Sequence, residues 1–116
     1  EPVVRASLVA LTLATDERRA ALQANVARFR TGLRDLGIDA LGSTHIVPVL
    51  MGRATMAVAE RLMDRGHWAA GIRAPTVAPG SERVRFTVSA AHSAEQIDRL
   101  LSDLAAVLKE IRHDHA

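Results

Sequence analysis

The sequence predicts an α+β fold, with helices packed on one face of a small antiparallel or mixed sheet of about three strands. Three observations predict it. Arg83 to Ser89 alternates strictly, with Arg83, Arg85 and Thr87 on one face and Val84, Phe86 and Val88 on the other. Two long segments carry apolar residues at helical spacing. The chain has 116 residues with 48% hydrophobic and 24% charged residues, which suits one domain with a core of its own.

The elements follow in order. Pro2 to about Leu13 is apolar on nearly all sides, as in a helix that something covers. Thr15 and Asp16 offer N-cap oxygens for a second helix, although the break is soft and the two helices could form one rod. Leu22, Val26, Phe29, Leu33 and Leu36 form the apolar face of that helix, Arg18, Arg28 and Arg34 its polar face, and Gly37 ends it. His45 to Met51 reads as a strand, and Pro48 places it at a sheet edge because proline has no N–H for a ladder. A helix follows from about Arg53 to Arg65, closed by Gly66. Trp68 to Arg73 reads as a second strand, with Trp68, Met51, Met56 and Met63 in core or half-core positions and His67 as a solvated turn residue. Two prolines stiffen the loop Ala74 to Gly80. The last helix opens on the capping box Ser93-x-x-Gln96 and carries the stripe Ile97, Leu100, Leu101, Leu104, Val107, Leu108 and Ile111. The tail from His113 to Ala116 is expected to fray.

Composition excludes several functions. Without cysteine there is no thiolate metal site, disulfide or cysteine nucleophile. No apolar run reaches the ~20 residues of a membrane span, and no signal peptide is expected. A formal charge of +2 and the lack of tyrosine argue against a nucleic-acid partner. There is no glycine-rich phosphate loop, no Gly-x-Ser-x-Gly elbow and no His-Glu-x-x-His. The five histidines are scattered, so no metal site is expected, and His92 reads as a loop residue bonding nearby backbone. Lys109 is the only lysine, so Schiff-base chemistry would have to use it or a lysine from elsewhere.

Two places could bind a ligand. Arg83 and Arg85 share a strand face, where each guanidinium offers a planar fork to a carboxylate or phosphate. The plainer alternative is a solvated face paired with Glu82 or Asp98. The loop with Arg73 and Thr76 as polar tips is pre-organised for binding, or is simply a stiff connection.

Gly71 to Gly80 and Glu82 to His92, with Ser43 to Gly52 upstream, the helix bearing Asn25 and Phe29, and the closing helix from Ser93, resemble the C-terminal small domain of the α-oxoamine synthases. These are pyridoxal 5'-phosphate enzymes of fold type I. The form Ile72-Arg73-Ala74-Pro75-Thr76-Val77 is most similar to the 8-amino-7-oxononanoate synthases, while Ala78-Pro79 departs from the family's more usual Val-Pro-x-Gly. Those enzymes condense L-alanine with a pimeloyl thioester in biotin synthesis, with loss of carbon dioxide. The resemblance implies residues 1–14 as the end of a large-domain helix or linker and 15–116 as the small domain. It implies that Arg85 binds the amino-acid carboxylate, that Thr76 and then Arg73 line the pocket, and that Arg83 is structural. It further implies a missing large domain that holds the cofactor and the catalytic lysine, a homodimeric cytoplasmic parent enzyme, and an isolated chain without activity. A stand-alone small-molecule-binding or interaction domain, or the corresponding domain of a glycine C-acetyltransferase or 5-aminolevulinate synthase, is the alternative.

Overall fold

The computed structural model describes the backbone of residues 2–114 and the side chains of residues 15–113. Helix α1 spans Pro2–Asp35, strand β1 Ile46–Leu50, a 3-10 turn Gly52–Ala54, helix α2 Thr55–Asp64, strand β2 Ala70–Ile72, strand β3 Arg83–Thr87 and helix α3 Ala94–Asp114. This is the expected α+β arrangement. The side-chain packing of Val3 to Leu13, and the tail beyond residue 114, lie outside the described residues.

Of the two arrangements left open at Thr15 and Asp16, the single rod is the one found, because α1 passes through both without a break. Threonine and aspartate inside a helix cost only tenths of a kcal/mol each, and no glycine or proline interrupts the chain there. The helix ends at Gly37, whose φ of 76° suits glycine. Gly37 N–H bonds to Arg34 O and Ile38 N–H to Leu33 O, which is a Schellman closure. That closure turns Leu36 outward. It is 43% exposed rather than part of the apolar face.

The sheet order is β1-β3-β2, antiparallel throughout. Pro48 sits on the edge strand as expected. Its carbonyl accepts from Leu41 N–H on the side away from β3, so its missing N–H costs the ladder nothing. Strand β2 is shorter than Trp68 to Arg73 because its pairing covers only Ala70 to Ile72 against Arg85 to Arg83.

One face of the sheet is the core. Val47, Val49, Val84, Phe86 and Val88 pack against Phe29 and Leu33 of α1, Val58 and Leu62 of α2, and Ile97, Leu104, Val107 and Ile111 of α3. Phe29 and Phe86 meet edge to face at its centre, with centroids 5.2 Å apart. Helices α1 and α3 approach closely at Gly32, where an added Cβ would collide with the Leu101 side chain. Ser93 caps α3 as predicted: Ser93 Oγ accepts from Gln96 N–H, and Gln96 Oε1 accepts from Ser93 N–H. Trp68 and Met63 leave the expected core. Trp68 is 85% and Met63 50% exposed, whereas Met56, at 36%, keeps a half-core position with its sulfur against Gly71 of β2.

Candidate ligand site on the open sheet face

The alternation of β3 decides where the arginines go. Val84 and Phe86 are buried against the helices, so Arg83, Arg85 and Thr87 must face the other way. Arg85 lies on the central strand, opposite Pro48 of β1 and Ala70 of β2. Both neighbours are short, so the guanidinium rises from a low floor. The rest of this face is apolar at its edges, with Ile46 and Leu50 exposed.

Arg85 lines a cleft of about 540 Å3 together with Arg65, His67, Trp68, Thr87, His92, Gln96 and Arg99, among others. Most of these cations are already engaged. Arg65 bonds to Asp103 at 3.0 Å and to Glu110 at 2.6 Å. Arg99 lies 3.7 Å from Asp103. Arg83 donates through Nε to Ser81 O, which accords with a structural role. The Arg85 side chain has no hydrogen bond or ion pair with any described residue. The expected alternative partners are taken: Asp98 forms a two-point pair with Arg28, at 2.8 and 2.7 Å, and Glu82 accepts from Gly80 N–H. Arg85 is therefore a free fork in a cationic cleft, suited to a planar anion such as a carboxylate.

Thr76 and Arg73 lie elsewhere. Ile72 pairs with Arg83, so the chain leaves β2 at the end of the ladder remote from Thr87. Both residues are exposed in the following loop, in a turn where Thr76 N–H donates to Arg73 O, and neither lines the cleft.

His67 is not the solvated turn residue the sequence suggests. Gly66, with φ 89°, closes α2 by a second Schellman motif in which His67 N–H bonds to Leu62 O. This turns the imidazole toward α3, where Nε2 meets Asp103 Oδ2 at 2.6 Å and only 15% of the side chain is exposed. The position after a glycine closure was the available signal. The hydrogen bond from His67, supported by Arg65 and opposed by desolvation, holds the Asp103 carboxyl below the usual 3.8. A lowered aspartate value stabilises the fold above its unfolded value, and this contribution is lost as pH falls through the folded one. Thermal unfolding followed from pH 5 to about pH 2 should therefore show the stability falling, and Asp103→Asn should flatten that fall.

Asn25 is the other residue whose role the sequence did not disclose. Its side-chain amide donates to Ser89 O at 3.0 Å and to His92 O at 2.8 Å, tying α1 to the turn beside the cleft. Asn25→Ala should cost about 1–2 kcal/mol in urea unfolding, the usual net value of two such bonds. His92 behaves as expected, its ring accepting from nearby backbone.

The described residues contain no group of histidines and carboxylates able to hold a metal. They also do not fit pyridoxal phosphate. The cofactor needs a lysine for its Schiff base, and Lys109 is exposed on α3 and does not line the cleft. No helix among the described residues is long and apolar enough to cross a membrane.

Comparison with known proteins agrees with the fold. The family model for aminotransferase class I and II matches residues 2–104, and the chain belongs to that family. Its curated relatives narrow the comparison. It is 44% identical over 108 residues to an 8-amino-7-oxononanoate synthase of Alkalilimnicola ehrlichii (strain ATCC BAA-1101 / DSM 17681 / MLHE-1), covering 89% of this chain and 28% of that protein. It is 40% identical over 116 residues to the one of Geotalea daltonii (strain DSM 22248 / JCM 15807 / FRC-32), covering 94% and 30%. The chain thus spans less than a third of these relatives. Among solved structures, a serine palmitoyltransferase from S. paucimobilis superposes with a TM-score of 0.74 at 24% identity, over 84% of this chain and 26% of that one. An 8-amino-7-oxononanoate synthase from Francisella tularensis gives 0.72 at 18%, over 98% and 34%. The resemblance to the α-oxoamine synthases read from the sequence is borne out.

Proposed function

We propose that this chain is the C-terminal small domain of a longer, cytoplasmic 8-amino-7-oxononanoate synthase, which joins L-alanine to an acyl thioester such as pimeloyl-CoA with loss of carbon dioxide. The observation that carries the reading is the unpaired Arg85 in the cleft of a chain 44% identical to such a synthase. Arg85 holds the amino-acid carboxylate through both guanidinium N–H groups, and fixing that carboxylate orients the bonds at the adjacent carbon. The rest of the polypeptide holds pyridoxal phosphate and its lysine and builds a homodimer. The 116 residues alone are inactive, since their one lysine does not line the cleft. Thr76 and Arg73 contact substrate where the loop after β2 meets the remainder of the enzyme. The exposed Ile46 and Leu50 beside Arg85 support a covered sheet face.

Intact-mass measurement of the protein captured from the organism that encodes it tests the reading. A species several times heavier than 12.5 kDa is expected. A species at 12.5 kDa would contradict it and favour a stand-alone binding domain.

A further inference from the structure

The turn that follows β3 sets the tautomer of a histidine in the Arg85 cleft. His92 N–H donates to Ser89 O at 3.2 Å, Ala91 N–H donates to Ser89 Oγ at 3.0 Å, and the Asn25 amide holds the carbonyls of Ser89 and His92. The turn is thus fixed at both ends and from α1. Within it, Ser89 N–H donates to His92 Nδ1 at 3.0 Å. A ring nitrogen that accepts an N–H bond carries no proton, so the neutral imidazole bears its hydrogen on Nε2. His92 is half-buried and is one of the residues that line the cleft, with Arg85 and Gln96, and no described residue accepts from its Nε2.

We infer that His92 is a positioning residue, whose Nε2–H is a second donor to the carboxylate held by Arg85. The inference rests on the reading of the cleft as an amino-acid carboxylate site. Two roles divide between two nitrogens: Nδ1 secures the turn, and Nε2 meets the ligand. A neutral donor adds direction without another charge in a cleft that already holds several arginines. The fork of Arg85 fixes the plane of the carboxylate, and a third N–H fixes its rotation within the site.

Two substitutions separate the roles. Asparagine places an amide oxygen near the position of Nδ1 and has nothing at Nε2. Glutamine places an amide N–H near Nε2 and loses the acceptor for Ser89. In the full-length protein loaded with pyridoxal phosphate, His92→Asn should keep its melting temperature within a few degrees while binding L-alanine about ten-fold more weakly by calorimetry. Its KM for alanine should rise by the same factor. His92→Gln should melt lower yet bind alanine within about three-fold of the parent, one lost neutral contact being the smaller effect. The reverse order, or parental alanine affinity in His92→Asn, overturns the inference and leaves the functional reading standing. No alanine binding by the unsubstituted protein overturns both. The tautomer is checked independently: long-range proton–nitrogen spectra of histidine-labelled protein at about pH 8 should show hydrogen on Nε2 of His92, and hydrogen on Nδ1 contradicts the inference.

Discussion

Replacing Arg85 by alanine in the full-length protein is expected to lower kcat/KM for L-alanine by about 100-fold or more, with most of the loss in KM. The size follows from the contacts at stake. Each hydrogen bond to a charged group contributes roughly 1.5–3 kcal/mol, and a two-point fork supplies two of them. About 2.7 kcal/mol is a factor of 100. The Arg85 side chain makes no bond with any described residue, so its removal should leave the melting temperature nearly unchanged. Arg85→Lys keeps the charge and loses the fork, and should fall between parent and alanine variant. Steady-state kinetics with alanine varied at saturating thioester measure all three. Unaltered alanine dependence in Arg85→Ala would show that the carboxylate is held elsewhere.

The largest effect on stability is expected at Phe29. Its ring is fully buried, stands edge to face with Phe86, and joins α1 to the central strand of the sheet. Phe29→Ala removes the ring and leaves a cavity that helices on both sides cannot easily close, at a cost of about 3–5 kcal/mol. That is a large part of the ~5–15 kcal/mol by which a domain is stable. Urea unfolding followed by circular dichroism should show the midpoint collapse with the slope unchanged. Phe29→Leu keeps most of the volume and should recover much of the loss.

Much of this architecture was legible because it rests on local rules. Alternation in β3 assigned its two faces, and the outward one carries Arg85. The capping box marked the start of α3, and Pro48 marked an edge strand. The departures have physical causes that only the tertiary arrangement supplies. Thr15 and Asp16 have the chemistry of a cap, but a cap ends a helix only when the chain also leaves helical geometry, and here it does not. Trp68 belongs to a residue type that is usually covered, yet β2 begins after it and leaves it on the rim of the cleft. His67 and Asp103 are far apart in sequence, and their contact depends on how the Gly66 closure turns the chain toward α3. The cleft itself followed the same division. Arg85 could be placed on a face from its spacing. Its freedom from partners could not, since that depends on Asp98 being taken by Arg28 and Glu82 by Gly80.

The central claim is that Arg85 of this domain holds the carboxylate that the reaction removes. The most direct measurement is release of labelled carbon dioxide from carboxyl-labelled L-alanine by the full-length protein with pyridoxal phosphate, with and without pimeloyl-CoA. The account predicts release that depends on the thioester and drops by about 100-fold in Arg85→Ala at low alanine concentration. Release that ignores the thioester, or that persists unchanged without Arg85, would contradict it.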